Sequence, residues 1–497
     1  MLRRLFLHFS VYSLGNLLVA MASLISFPIF TRIFSTSDYG VLSLVSATLL
    51  LLTGVGKAGS QHSIVRFYSE VKAGKRSFDT RTYYSTVLTG MVLTGAVTTV
   101  LWALVSQILP TSLFGEPRLH ILFLLTAPLI LVRVVESGLS NILRAQEKSL
   151  TLVIFAVVKK YGSIALIIVT VLFWLRSPIG FFAATLASET ILVAVYAYAV
   201  WGALGPTPRL FERPFFREML AFGLPMLGYE IAGIVLSLGD RYVIEALMGS
   251  SAVGVYSATY NLCDYVQSTL IVSVASAIQP IYNRLWEEQG RQATEAFLGR
   301  ALHYYVVLSA PIIAGLTAVG PELLPLLASS KYKEGSTIIP YVMAGMVMDG
   351  AMVIFTAGLY IHKRTRVVWG LISLCAVVNL LLNVVLIPRM GLTGAALATL
   401  LAYGLLLLLG SFASRGYLEI PIPFSSLAKG GVAAGLMYLA VRSLSLSLRP
   451  GFLALGIQIA FGALVYGVLI VAIDRKSREG LVSLLGTLRA RLRPASA

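Results

Sequence analysis

The 497-residue sequence has few charged residues and few cysteines. Asp, Glu, Lys and Arg make up 12% of it, about half of what soluble domains carry, which excludes a soluble globular protein and a disordered chain. Its two cysteines, Cys263 and Cys375, both lie inside apolar runs, so neither a disulfide scaffold nor a metal-ligand spacing is indicated. The five histidines are scattered, and no nucleophile elbow, Walker A motif or zinc-protease motif occurs. We therefore expect no metal, no cofactor and no enzymatic activity.

Long apolar runs dominate what is present, since 57% of the residues are hydrophobic. A helix that crosses a bilayer needs roughly 20 such residues, and fourteen runs of that kind occur. Their approximate limits are 9–31, 41–65, 83–108, 119–143, 150–173, 178–203, 219–245, 253–276, 301–320, 337–361, 367–387, 393–413, 428–446 and 452–473. The second and thirteenth are the weakest, so twelve or thirteen spans stay open as alternatives. The fold class predicted is an all-α polytopic membrane protein.

The excess of basic residues orients the predicted spans. Lys and Arg number 39 against 22 Asp and Glu, which gives a net charge of +17. When the spans alternate, 25 of the bases fall on the amino-terminal side of the membrane and eight on the other. Cytoplasmic loops carry the excess of Lys and Arg, so both termini are predicted to be cytoplasmic.

Short segments recur at corresponding places in the two halves of the chain. Gly40–Thr48, at the start of the second span, resembles Gly254–Thr259 at the start of the eighth. Gly180–Ala187, at the start of the sixth, resembles Gly391–Thr399 at the start of the twelfth. These matches predict parallel six-helix repeats, and transporters built in this way load their substrate between the repeats.

Ionisable residues inside the predicted spans are the candidate functional residues, because charges at bilayer depth are costly and usually face a cavity or one another. Cations lining a cleft would attract an anionic substrate, and we expect one that carries a phosphate or diphosphate. The candidates for this role are Lys57, Arg66, Arg133 and Arg241. Buried carboxylates could couple transport to protons or sodium. The candidates for this second role are Glu230, Asp264 and Asp349.

Structural interpretations of the same charges stay open. Arg133 and Glu136, three residues apart on one helix, could neutralise each other. Asp240 and Arg241 could form only an interfacial contact. Lys159 and Lys160 lie at similar depth and could reach the inner surface instead; Glu189 completes the set of intramembrane charges.

One motif resembles a nucleotide-binding fingerprint. Gly54 to Gly59 matches G-x-G-x-x-G, but that fingerprint needs a preceding strand and a βαβ unit. Since this segment lies in an apolar helical run, we predict a bend or a close helix contact there, not a cofactor site.

Several motifs, in order along the chain, resemble the Wzx-type polysaccharide transporters, the oligosaccharide flippases of the multidrug/oligosaccharidyl-lipid/polysaccharide exporter superfamily. The matching segments are Pro28–Arg32, Ser37–Gly40, Arg66–Ser69, Phe222–Pro225, Asp240–Arg241, Val253–Ser257, Ile387–Gly391 and Gly394–Ala396.

The resemblance implies two six-helix lobes and two additional helices that work by alternating access. It implies transfer of an undecaprenyl-diphosphate-linked oligosaccharide to the outer leaflet of a bacterial inner membrane, for O-antigen, capsule or exopolysaccharide synthesis. It also implies glycosyltransferases and a polymerase as partners. A cationic cavity would contain Lys57, Arg66 and Arg133, with Arg32 and Arg241 at an outer gate.

The predicted domains follow from the repeat. They are an amino-terminal lobe (1–208), a carboxy-terminal lobe (209–425), two further helices (426–475) and a basic cytoplasmic tail (476–497). Two alternatives within the superfamily remain, a cation-coupled multidrug exporter and a lipid II flippase. The glycan, the coupling ion and the oligomeric state are left open.

Overall fold

The computed structural model describes residues 2–108 and 116–479, which fold into α-helices joined by short turns. In chain order the helices are α1 (Leu2–Ile33), α2 (Thr36–Lys57), α3 (Ser60–Lys72), α4 (Thr80–Ile108), α5 (Arg118–Ala145), α6 (Ser149–Phe173), α7 (Pro178–Leu204), α8 (Arg213–Leu238), α9 (Asp240–Met248), α10 (Ser250–Val266), α11 (Val272–Leu327), α12 (Ile339–Phe355), α13 (Ala357–Ile361), α14 (Thr365–Met390), α15 (Leu392–Ser414), α16 (Phe424–Ser447) and α17 (Phe452–Ile473).

The number of candidate spans in the described residues is one below the fourteen predicted and equals one of the alternatives left open. Thirteen stretches of the described chain are long and apolar enough to cross a membrane. One of them, Ile278–Leu327, has 50 residues and belongs to α11, which Gly290 interrupts with a φ of +76°. The part of α11 before Gly290 continues α10 through a π-helical turn at Gln267–Ile271. The predicted all-α polytopic membrane fold is confirmed.

The second predicted span, 41–65, differs from the structure at both ends. Its helix α2 begins earlier because Ser35 and Asp38 form a capping box, in which the Ser35 hydroxyl accepts the Asp38 N–H at 3.0 Å. The helix stops at Lys57 because Ala58 and Gly59 both adopt left-handed backbone conformations, with φ of 48° and 69°. The chain then continues as α3, so the bend predicted in the glycine-rich segment is confirmed.

The first compact unit comprises Met1–Ala258 and Ile372–Ala395. Within it α5 packs against α4, α2 and α7 through close helix contacts. Small residues permit this approach: Gly138 faces Met91, and Gly56 faces Val134. Apolar side chains cover the outside, as in Phe173, which is 76% exposed. An apolar exterior of this kind suits a lipid environment.

The second compact unit comprises Thr259–Leu371 and Ala396–Ala497. Its helices α16 and α17, which lie outside the predicted repeat, pack on each other and on the second part of α11. The Glu322 carboxylate accepts hydrogen bonds from the Ser445 hydroxyl at 2.6 Å and the Gln458 amide at 2.9 Å. The two additional helices are therefore attached to α11 by polar as well as apolar contacts.

The predicted boundary at residue 208 separates two lobes that would move against each other during transport. The compact units are defined by packing alone and do not test it, so it stays a prediction. Most of the predicted basic tail, residues 480–497, lies outside the described residues.

Candidate substrate site

The first candidate cation, Lys57, is paired with a carboxylate of another helix. Its ammonium group lies 2.9 Å from the Glu230 carboxylate of α8, which also accepts a 2.6 Å hydrogen bond from the Gln61 amide. The bend after α2 positions this contact, since a Cβ at Gly59 would overlap the carbonyl oxygen of Gly223. Both charged side chains are about four-fifths buried, with exposures of 17% and 23%. In this pair Lys57, predicted to bind substrate, and Glu230, predicted to couple transport to an ion, neutralise each other.

Arg133 is paired with Glu189, and not with Glu136 on its own helix. Its guanidinium donates two hydrogen bonds, of 2.8 Å and 2.9 Å, to the Glu189 carboxylate of α7. Glu136 instead lies 2.5 Å from the ammonium group of Lys159 on α6. The interpretation that Arg133 and Glu136 neutralise each other is therefore wrong. The two bonds to Glu189 use the fork-shaped geometry in which a guanidinium binds a carboxylate most strongly.

Lys160 gives this charged region its excess of one positive charge. It follows Lys159 on α6 and is partly buried. In the described residues it forms neither an ion pair nor a hydrogen bond. Two carboxylates on α5 and α7 thus face three cations on α5 and α6, and the first unit contains all five. Such a region has the charge needed to hold an anion.

Arg66 is held by aromatic rings. Its guanidinium lies 4.3 Å from the centre of the Phe222 ring of α8 and 5.5 Å from that of Phe67. The residue is exposed, so the cation–π contact holds its position and leaves it accessible to polar ligands.

The two predicted gate arginines have different environments. Arg241 is 3% exposed and donates to Asp240 at 3.3 Å and to the carbonyl of Ser237 at 3.0 Å. Asp240 also accepts a 2.5 Å hydrogen bond from the Tyr256 hydroxyl. Arg32 is exposed and donates to the carbonyl of Pro28 at 3.0 Å. Arg241 therefore lies in a buried ion pair, whereas Arg32 is exposed, and the gate role of both stays a prediction.

The repeated segments at Gly40 and Gly254 contact each other in a nearly symmetric way. A Cβ at Gly40 would overlap the carbonyl oxygen of Ser250, and one at Gly254 would overlap that of Thr36. Ser250 lies four residues before Gly254, and Thr36 lies four residues before Gly40. The hydroxyl groups of Ser43 and Ser257, three residues after the two glycines, are 2.7 Å apart. This arrangement supports the predicted duplication, because equivalent residues make equivalent contacts.

The other two candidate carboxylates lie outside these contacts. Asp264 on α10 is exposed, whereas Asp349 on α12 is partly buried. The backbone just before Asp349 is held by two polar side chains: Gln267 donates to the carbonyl of Met346 at 3.1 Å, and Tyr305 to that of Val347 at 2.7 Å. Gln267 begins the π-helical turn, a feature often found at functional sites.

Reasoning from the sequence missed the pairing of helices and the role of Gln61. Spacing along one helix can indicate that Glu136 lies near Arg133, but it carries no information on which face of α6 or α7 packs there. Within the described residues no group of three His, Cys, Asp or Glu side chains is positioned to hold a metal ion.

Comparison with known proteins identifies the family. Residues 7–286 match the family model described as "Polysaccharide biosynthesis protein". The chain belongs to this family. The resemblance found in the motifs, to the oligosaccharide flippases of the multidrug/oligosaccharidyl-lipid/polysaccharide exporter superfamily, is thereby confirmed.

Curated relatives of this family member include transport proteins from archaea and bacteria. A probable low-salt glycan biosynthesis flippase, Agl15 of Haloferax volcanii, is 24% identical over 56% of this chain and 59% of its own length. The chain spans 44–59% of the length of the first curated relatives. The succinoglycan biosynthesis transport protein ExoT of Rhizobium meliloti is 22% identical over 95% of this chain and 94% of its own.

The fold also matches a solved structure over nearly its whole length. The lipid II flippase MurJ, in an inward closed conformation, superposes with a TM-score of 0.78 at 16% identity. The match covers 94% of this chain and 99% of that one. At this identity the likeness establishes the shared fold alone.

Proposed function

We propose that the protein is a flippase that transfers an undecaprenyl-diphosphate-linked oligosaccharide from the inner to the outer leaflet of a bacterial inner membrane. The family match over residues 7–286 carries the proposal, and the cation-rich region of α5, α6 and α7 supports an anionic headgroup. The lipid tail would stay in the bilayer while the headgroup crosses by alternating access. The glycan would enter O-antigen, capsule or exopolysaccharide synthesis.

In this proposal the cations bind the diphosphate in two steps. Arg66 and Lys160 contact no carboxylate in the described structure, so they offer the first electrostatic attraction. Lys57 and Arg133 are paired with Glu230 and Glu189, and binding through them requires exchange of a carboxylate for a phosphate. Phosphate is a strong acceptor for ammonium and guanidinium donors, which makes the exchange chemically reasonable.

Coupling to an ion gradient would fall on Asp349 or Asp264, or on Glu230 after release from Lys57. Proton and sodium coupling are both compatible with a carboxylate. Partners would be the glycosyltransferases that build the lipid-linked glycan and a polymerase that consumes it. Both chain termini would be cytoplasmic, in keeping with the distribution of basic residues.

The test is deletion of the gene followed by replacement with single variants Lys57→Ala, Arg66→Ala and Arg133→Ala. We expect loss of surface glycan in the deletion strain, with lipid-linked glycan accumulating on the inner leaflet. The three variants should restore export poorly although the protein is present in the membrane. Normal surface glycan in all three would reject the cationic site, and normal glycan in the deletion strain would reject the flippase.

The same strains separate the alternatives within the superfamily. A multidrug exporter would leave surface glycan unchanged and increase sensitivity to cationic drugs on deletion. A lipid II flippase would be required for growth, and its depletion would cause lysis with intact surface glycan.

A further inference from the structure

The second unit contains a cavity of about 820 Å³ that no candidate transport residue lines. It lies between the second part of α11, the segment that precedes α16, and the chain just after α17. The charge distribution predicts this end of the helices to be cytoplasmic. The cavity is amphipathic, because charged residues line one side and apolar residues line the other.

The apolar side is formed by residues at the start of α16. Phe424 is 72% exposed and Ile422 is 38% exposed, and Tyr304 of α11 is 48% exposed opposite them. Exposed aromatic side chains at the ends of spans are typical of the membrane interface. The predicted topology therefore puts the apolar wall near the boundary between acyl chains and headgroups.

The charged side has two cations without acidic partners. The carboxylates that line it are already engaged: Glu295 with Arg291 at 2.7 Å, and Glu479 with Arg475 at 2.7 Å. Arg300 and Lys476 also line the cavity, and within the described residues neither forms an ion pair or a hydrogen bond. The lining has as many carboxylates as cations, but Arg291 and Arg475 neutralise the two carboxylates from outside the cavity, so Arg300 and Lys476 are left to bind an anion.

A buried polar network holds the base of the cavity in place. His303, 4% exposed, shares a 2.7 Å hydrogen bond between its Nδ1 atom and the Ser426 hydroxyl. Its Nε2 atom lies 3.5 Å from Asp474, which in turn accepts from Lys429 at 3.2 Å and from the backbone N–H of Ser477 at 2.9 Å. These contacts join α11, α16 and the end of α17, so the walls are positioned before any ligand binds.

We propose that this cavity binds the phosphate headgroup of an inner-leaflet lipid, with Arg300 and Lys476 on the phosphate and the lipid chain along Phe424. Basic pockets between membrane helices at the cytoplasmic side commonly bind anionic lipid headgroups. A soluble anion would leave the exposed aromatic wall unused, whereas an amphiphile satisfies both sides of the cavity. This site goes beyond the proposed function, because it requires no transport of the bound lipid.

The experiment measures lipid retention by the full-length protein with native mass spectrometry. The protein is extracted from vesicles that contain phosphatidylcholine with either phosphatidylglycerol or undecaprenyl diphosphate. The wild type is compared with the double variant Arg300→Ala/Lys476→Ala. A charge-matched control, Arg364→Ala/Arg366→Ala, removes two exposed bases from the same predicted membrane face.

We expect the wild type and the control to retain the phosphate lipid, and the Arg300/Lys476 variant to bind it at least about tenfold more weakly. Retention of phosphatidylglycerol alone would identify bulk phospholipid as the source, and retention of undecaprenyl diphosphate alone would identify the polyprenyl lipid. Both results support a lipid-phosphate site. Retention of neither phosphate lipid by the wild type, equal retention by the double variant, or equal loss in the control would each overturn it.

The outcome is separable from that of the flippase proposal. The vesicle assay detects binding without transport, so loss of export in the Lys57 variant has no effect on it. For the same reason, a failed lipid site leaves the export test unchanged.

Discussion

Replacing Gly40 with Ala should separate the two repeated segments that meet in the first unit. Any Cβ at this position would overlap the backbone carbonyl of Ser250. Because the obstacle is backbone and not the end of a flexible side chain, the clash cannot be relieved by a change of rotamer. The helices α2 and α10 must instead move apart.

The size of the effect can be worked out from packing. Reaching an ordinary contact distance of about 3.5 Å requires a separation of roughly 1.5 Å. Overpacking of this kind costs about 1–3 kcal/mol, equivalent to roughly a 5- to 150-fold shift in the population of the closed contact. Replacing glycine with alanine at an unobstructed helical position has the opposite effect and stabilises the helix by about 0.5–1 kcal/mol.

Disulfide formation between Thr36→Cys and Ser251→Cys reports the contact, because the two native hydroxyl groups lie 2.7 Å apart. The native Cys263 and Cys375 are both buried, so background cross-linking should be low. Gly40→Ala should reduce the rate of cross-linking at least about fivefold. Gly233→Ala is the matched control, since nothing lies within 4 Å of the added methyl group. Unchanged cross-linking in Gly40→Ala would refute the close contact.

Three further predictions concern charged residues. Charge reversal at Arg133 or Glu189 alone should lower the free energy of unfolding by about 1–3 kcal/mol, which is less than the cost of breaking a fully buried ion pair. The double reversal should recover at least half of that loss. If the losses of the two single variants simply add, the pairing is contradicted. Lys160→Gln should reduce glycan export without lowering the melting temperature, whereas normal export would remove Lys160 from the site. The Arg118 hydrogen bond holds the pKa of Glu116 below its usual value of 4.5, although burial opposes it. The wild type should therefore be more stable than Glu116→Gln at neutral pH, and the difference should disappear as the pH falls through that lowered pKa; a difference unchanged at pH 3 would contradict this.

The fold could be predicted from the sequence because its determinants are local. A run of 20 apolar residues specifies a span wherever its neighbours lie. The limits of α2 were missed because they depend on a capping box at Ser35 and on left-handed backbone at Ala58. A hydropathy window averages over both of these single-residue features.

The site could be predicted only in part. Hydropathy and charge were enough to select Lys57, Arg133 and Glu230 as unusual, since an ionisable residue in an apolar run is conspicuous by itself. The partners could not be predicted, because the Arg133–Glu189 contact joins residues 56 positions apart. Such a pairing depends on how α5 and α7 are rotated against each other, which composition does not encode.

The pairing of these charges gives a physical reason for linking substrate binding to helix movement. A single charge inside an apolar span is costly, so Lys57 and Arg133 are stabilised by carboxylates on other helices while no substrate is bound. Under the proposed function, a diphosphate that binds to them would have to displace Glu230 and Glu189. Those carboxylates connect α2 with α8 and α5 with α7, and their release would remove the polar contacts between these helices. Under the proposed function, the substrate itself would therefore loosen these contacts between α2 and α8 and between α5 and α7, and no separate trigger would be needed.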